Sequence, residues 1–313
     1  MSAVETVIAP QAGVRASTGP ETHAVAGLGA DRSLVRRALR RVGGWLYAAV
    51  RYPGTLLAGA FVALIGLAAI HPAALTRQDP YATAPTQMLL PPSAEHWFGT
   101  DQLGRDLYSR VVYGAQSTVL ASLISLSIAI AVGVLFGVIA GYVGGATDAT
   151  LMRFVDVLLS IPGLLLSITI VTAIGFGTIP VAIAIGVASI PTFARTARAQ
   201  TLRVCSSSYI EAAIVSGVTP ARIIARHVLR NVFGPVFSLA LLEFGRVIMA
   251  VATLSFLGFG AKPPVAEWGS LINEGRSYLM TSSWVPLLPG LVVVLTVLAI
   301  TVLAARSEKE LKR

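Results

Sequence analysis

Long uncharged apolar runs alternate with short polar segments along most of the chain. Residues 52–70 carry no charge, and a helix needs about 20 apolar residues to cross the hydrocarbon of a bilayer. After Arg110 the next charge is Asp148, which predicts a second span near 116–142. Residues 157–194 are again uncharged and are interrupted by the segment GFGTIP at 175–180, which predicts two spans joined by a tight turn. A fifth span is predicted over 235–259 and a sixth over 284–304. The predicted fold class is therefore an all-α integral membrane protein with six transmembrane helices.

Two local patterns refine this picture. In the second span Ser117, Ala121, Ser125, Ala129, Gly133, Gly137, Gly141 and Gly145 recur every four residues. One face of that helix is a ridge of small side chains against which a neighbouring backbone can pack closely, with Gly133, Gly137 and Gly141 at its centre. Between the fourth and fifth spans, residues 201–233 are too polar to insert. Ser208 and Glu211 have capping-box spacing for a helix through Ala212, Ala213 and Ile214. Gly217 is suited to end it in the left-handed conformation, and Thr219-Pro220 restarts a second helix. Arg222, Arg226 and Arg230 follow at intervals of four, a like-charge stripe that calls for acidic groups or phosphates opposite.

Of the 313 residues, 55% are hydrophobic and 12% charged, and the mean hydropathy is +0.75. A water-soluble domain carries roughly a quarter charged residues, so much of this surface faces lipid. The net charge of +9 is spread between the apolar runs and is not a nucleic-acid signature. With the N-terminus inside, the inner segments hold Arg15, six arginines from Arg32 to Arg51, Arg153, Arg195, Arg198, Arg203, Arg222, Arg226, Arg230, Arg306, Lys309, Lys312 and Arg313, which is 18 of the 24 basic residues. That bias predicts both termini and the 201–233 loop on the cytoplasmic side of the inner membrane. Residues 1–51 form an N-terminal tail. Its first 30 residues read as disordered, and residues 32–47 read as a basic amphipathic helix lying on the anionic lipid face. No apolar run before residue 53 has the length of a signal-peptide core. Residues 52–114 comprise the first span and an extracytoplasmic segment, 115–305 the core, and 306–313 a C-terminal tail.

The candidate chemistry is sparse. Asp101 with Arg105, and Asp106 with Arg110, have the i, i+4 spacing that favours a helix, with Leu103, Leu107 and Val111 on another face. This reads as an amphipathic helix on the outer membrane surface. Glu243 and Arg246 fall near the middle of the fifth span, where lone charges are costly; they either neutralise each other or meet the charged ends of a solute. Asp156 lies beside Arg153 near a cytoplasmic end. The lone Cys205 excludes an internal disulfide. There is no Gly-Lys dipeptide for a Walker A loop, no HExxH and no GxSxG, and the four histidines are scattered; no catalytic residue, metal site or cofactor is predicted.

The 201–233 loop resembles the EAA loop of type I ABC importer permeases. Glu211, Ala212, Ala213 and Gly217 match that pattern in type and spacing, and His227, Leu229 and Asn231 match its peptide branch, whereas Arg230 replaces the expected Pro. The block 96–114 (HWFGTDQLGRDLYSRVVYG), Asp156 with Ser160-Ile-Pro162, Leu254 to Gly260, Pro263, Pro264 and Trp268-Gly269 are similar to the C-type subunit of dipeptide/oligopeptide permeases. The C-terminal segment departs from that family's usual ending. The resemblance implies a type I ABC importer permease fold and a heterodimer with a homologous permease subunit. It implies docking of Glu211, Ala212, Ala213, Gly217, Arg222, Arg226, His227 and Asn231 on two ABC ATPase domains or a fused ATPase. It further implies an extracytoplasmic substrate-binding protein and a peptide substrate, with a nickel permease of the same family as the alternative. A secondary transporter is the alternative from another class; it needs no docking loop and shows inverted halves with broken helices.

Overall fold

The structure, a computed structural model, describes residues 53–311, with side chains to residue 307. The N-terminal tail and its expected amphipathic helix lie outside the described residues. Ten helices occur among them: α1 Pro53–Ile70, α2 Leu107–Val143, α3 Gly145–Ser160, α4 Gly163–Ile174, α5 Thr178–Cys205, α6 Ser208–Val215, α7 Pro220–Ile223, α8 Leu229–Phe256, α9 Trp268–Gly275 and α10 Trp284–Leu311. Five stretches are long and apolar enough to cross a membrane by themselves, and α3 with α4 supplies the sixth if this bent pair counts as one span.

That pair corrects the expected third span. Apolarity predicted a span starting near residue 157, but the apolar stretch is shared between α3 and α4, and the chain turns by 93° between them. Pro162 disfavours helical geometry at the residue before it, and Ile161 is extended at φ −96°, ψ 129°. α4 alone is about 18 Å long, too short to span the hydrocarbon. The sixth span is also longer than expected. α10 continues to Leu311, so residues 306–311 extend the helix.

α2 and α5 form the centre of the bundle. Along the small-residue ridge, a Cβ on Gly137 would fall 2.4 Å from the Ala194 carbonyl oxygen and 2.6 Å from the Ala197 Cβ. Gly133 and Gly141 sit as tightly against Phe193 and Thr201. The close approach also satisfies polar groups: Ser125 Oγ lies 2.8 Å from the Ala182 carbonyl across the interface. The ridge packs against a helix of the same chain. Gly145 is not part of it; it opens α3 at φ +56°.

At one end of the bundle the segment after α1 folds over the start of α2. The expected surface helix over 101–111 does not form, because helical structure begins only at Leu107. Asp106 is instead the N-cap of α2 and accepts from Ser109 N at 2.7 Å. Its carboxylate contacts His96 Nδ1 at 2.9 Å rather than Arg110. Arg110 reaches Asp101 Oδ2 at 2.6 Å and Glu274 Oε2 at 2.9 Å. Arg105 contacts the same two carboxylates at 2.7 and 3.2 Å. Asp101, Arg105 and Arg110 are each at most 3% exposed. Two acids and two bases thus form a buried, neutral clamp joining the start of α2 to α9, where the sequence suggested a charged surface.

Nearby, Glu267 accepts from Ala261 N at 2.7 Å, and its Oε1 lies 2.8 Å from Ser255 Oγ. Burial pushes its carboxyl above the usual range, against the two hydrogen bonds. The carboxyl ties the loop after α8 to the start of α9.

Candidate functional site

The loop between α5 and α8 is a compact hairpin anchored by two apolar side chains. Ile210 of α6 and Ile223 of α7 are each 1% exposed. They insert among Val138, Phe193, Ala197, Val204, Val228 and Val232. The N-cap of α6 is Ser207 rather than the expected Ser208, and no side chain caps it. Glu211 therefore sits in the first turn of α6, exposed, without the reciprocal capping bond that the sequence suggested. Its charge there still favours the helix N-terminus.

The end of α6 has the geometry that the sequence called for. Gly217 N donates to the Ile214 carbonyl at 2.9 Å and Val218 N to the Ala213 carbonyl at 3.0 Å, the paired bonds of a Schellman motif. Gly217 has φ +78°, and a Cβ there would meet nothing within 4 Å. The need for glycine is conformational, not steric. Thr219 then stands at the N-cap position of α7, without a side-chain capping bond, and Pro220 opens the helix.

Between α7 and α8 the backbone makes a π turn over Ile224–Val228, with Leu229 N bonded to the Ile224 carbonyl. Such a turn holds an extra residue, so arginines spaced by four across it are offset around the axis. The three are not the single straight stripe that a regular helix predicts. All three are exposed, and none pairs with an acidic side chain among the described residues. Asn231 Nδ2 donates to the His227 carbonyl at 2.7 Å and lies 3.4 Å from Tyr209 Oη. The Tyr209 and His227 rings are 6.0 Å apart. Tyr209, which no sequence pattern singled out, thus bridges α6 to the base of α8. Its position one residue before Ile210 places it on a different side of α6 from the buried anchor. The outer surface of the hairpin carries Ile214 and Val215 at 56% and 89% exposure.

A second feature lies within the bundle. Glu243 and Arg246 pair at 2.8 Å, with side-chain exposures of 11% and 77%. They border a cleft of about 290 Å³ that is also lined by Gly163 and Ser167 of α4 and Ser189 and Thr192 of α5. Asp156 does not join Arg153; it pairs with Arg195 at 2.7 Å. Asp148 accepts two hydrogen bonds from Arg198. The bend between α3 and α4 thus places acidic side chains of α3 against basic ones of α5.

Membrane-length helices, a compact two-helix hairpin at one end, and a mixed polar and apolar cleft bordered by an ion pair fit the membrane subunit of a transport system. The comparisons agree. Residues 133–313 match the family described as "Binding-protein-dependent transport system inner membrane component". The "Probable D,D-dipeptide transport system permease protein DdpC" of Escherichia coli K12 is 40% identical over 78% of this chain and 82% of its own length. The "Glutathione transport system permease protein GsiD" of Shigella flexneri is 44% identical over 68% and 70%. Among solved structures, a chain of the inward-facing MetNI methionine ABC transporter superposes with a TM-score of 0.54 at 19% identity, covering 66% of this chain and 98% of that one. The chain belongs to the binding-protein-dependent transport system inner membrane component family. It is an inner-membrane protein with the fold of an ABC importer permease, as the sequence resemblance implied.

Proposed function

We propose that the chain is one permease subunit of an ATP-driven importer of di- or oligopeptides. It pairs with a homologous permease chain, and the solute passes between the two bundles. The α6–α7 hairpin faces the cytoplasm, as do both termini, and seats in grooves on ATPase subunits that carry out the hydrolysis. An extracytoplasmic binding protein delivers the peptide. Closure of the ATPases moves the hairpins, and the bundles turn from inward to outward facing.

The observation that carries this reading is the hairpin itself. It is rooted in the core by Ile210 and Ile223, sharply bent at Gly217, and tipped by Ile214 and Val215, which are apolar and exposed. An apolar tip beside unpaired arginines suits a protein partner better than water. The peptide substrate is supported by the names of the relatives, which include a D,D-dipeptide and a glutathione permease.

The test is Gly217→Val in the reconstituted complex. A β-branched residue at φ +78° costs about 1–2 kcal/mol, enough to shift the bend without unfolding a bundle that it does not touch. ATPase activity is expected to persist while peptide uptake per ATP falls. Unchanged uptake per ATP would show that the hairpin does not transmit the stroke. A complex in which no ATPase co-purifies would favour a secondary transporter.

A further inference from the structure

Arg246 is in an unusual position for a membrane helix. It lies in the interior of α8, and its side chain is 77% exposed within this chain. Lipid is a costly neighbour for a guanidinium, so this face of α8 must meet either water or another polar surface. One of its nitrogens, Nη1, donates to Glu243. Its other donors engage no described residue, and a guanidinium carries five in a planar fork. Glu243 is largely buried and accepts from Nη1 at 2.8 Å, and both side chains border the cleft.

The rest of the cleft is part apolar, walled by Leu164, Ile185, Val247 and Leu254, with hydroxyls set among them. Thr192 lines it, and its hydroxyl has no hydrogen-bond partner among the described residues. Ser167 and Ser189 add two more hydroxyls, bonded back to the Gly163 and Ile185 carbonyls. The first turn of α4 also opens here, with Gly163 at the wall and no side chain capping its amides. A cationic fork, a hydroxyl without a partner and a helix N-terminus converge on one space of about 290 Å³. Each favours an anion, and the fork matches a carboxylate in shape.

We infer that this cleft is a transient binding site for the α-carboxylate of the transported peptide, with Arg246 as the residue that reads it and Glu243 as the residue that positions Arg246. The inference rests on the peptide-importer reading and adds a chemical requirement to it: solutes with a free carboxyl terminus pass more readily than the same solutes with the carboxylate blocked. Gly163 and Leu164, the first residues after the break between α3 and α4, line the cleft.

The experiment uses the intact transporter, purified with its partner subunits and reconstituted in proteoliposomes. Uptake of a dipeptide mixture is compared with uptake of the same mixture amidated at its C-termini. The same binding protein serves every arm, so its own preference cancels between wild type and variant. Arg246→Gln is expected to lower the acid-to-amide uptake ratio about tenfold, the scale of a lost charge-assisted contact, with ATPase activity retained. Arg246→Lys is expected to recover part of the ratio. Should Arg246→Gln alone fail to assemble, Glu243→Gln/Arg246→Gln leaves no uncompensated charge and carries the same measurement. An unchanged ratio in an assembled variant overturns the inference. Loss of assembly in both variants assigns Arg246 to the subunit interface and overturns it as well. Wild-type transport of Ni²⁺ and of no dipeptide overturns the peptide reading itself, which is a separate result.

Discussion

At the scale of single residues, Arg110 shows how far burial changes the meaning of a charge. Read locally it is the partner of Asp106, four positions earlier, on a wet surface. In the fold it is 1% exposed and bridges Asp101 and Glu274, the latter from α9. A surface pair contributes about 0–1 kcal/mol, whereas removing one member of a buried cluster costs about 3–5 kcal/mol, because the remaining charges lose their compensation. Arg110→Met should therefore lower the thermal unfolding midpoint of the detergent-purified chain severely, and Arg110→Lys less so. A midpoint equal to wild type for Arg110→Met would mean that the clamp is solvated in the membrane-bound protein. No periodicity reveals this cluster in advance. Helical spacing reports only neighbours a turn away, and Glu274 lies 164 positions further along the chain.

Elements were legible where one local rule dominated. The end of α6 at Gly217 follows from backbone conformation alone, and so does the restart at Thr219-Pro220. Span existence follows from apolar length. Direction does not: the same apolar run allows a straight helix or a 93° break, and only Pro162 hints at which. The start of α6 was displaced by one residue because Ser207 and Ser208 are both suitable caps, and the choice between them lies in the preceding helix end. The arginine stripe assumed a regular helix, and the π turn at Ile224–Val228 changed its phase. The ridge on α2 was readable as a packing face, while its partner, α5 of the same chain, was not. That partner sets the prediction for Gly137→Leu. The Ala194 carbonyl oxygen would lie only 2.4 Å from a Cβ at this position. An added isobutyl group therefore forces α2 and α5 apart and strains the bond between Ser125 and the Ala182 carbonyl. The chain itself should misfold, seen as low yield of monodisperse protein even without partner subunits. Normal yield and transport by Gly137→Leu would show that the two helices can separate at little cost.

For the whole molecule, the topology proposed above puts the hairpin and both ends of the chain on one side, which requires the bent α3–α4 pair to count as one crossing beside the five other spans. Cys205 stands at the foot of the hairpin but is only half-exposed. Ser206→Cys in a Cys205→Ser background places an exposed thiol beside it. An impermeant maleimide should label this thiol in inside-out vesicles and leave it untouched in intact spheroplasts; the reverse would invert the topology. The length of α2 has a mechanical consequence. Its 37 residues make a rod about 55 Å long, fixed at one end in the ionic clamp and packed at the other against the hairpin's anchors. Backbone contact along the glycine ridge splints it to α5, so the two resist bending together. Such a beam acts as a rocker: a pivot of about 10° about its midpoint swings each tip by about 5 Å, in opposite senses at the two membrane faces. A push delivered at the hairpin would arrive at the far rim as a pull.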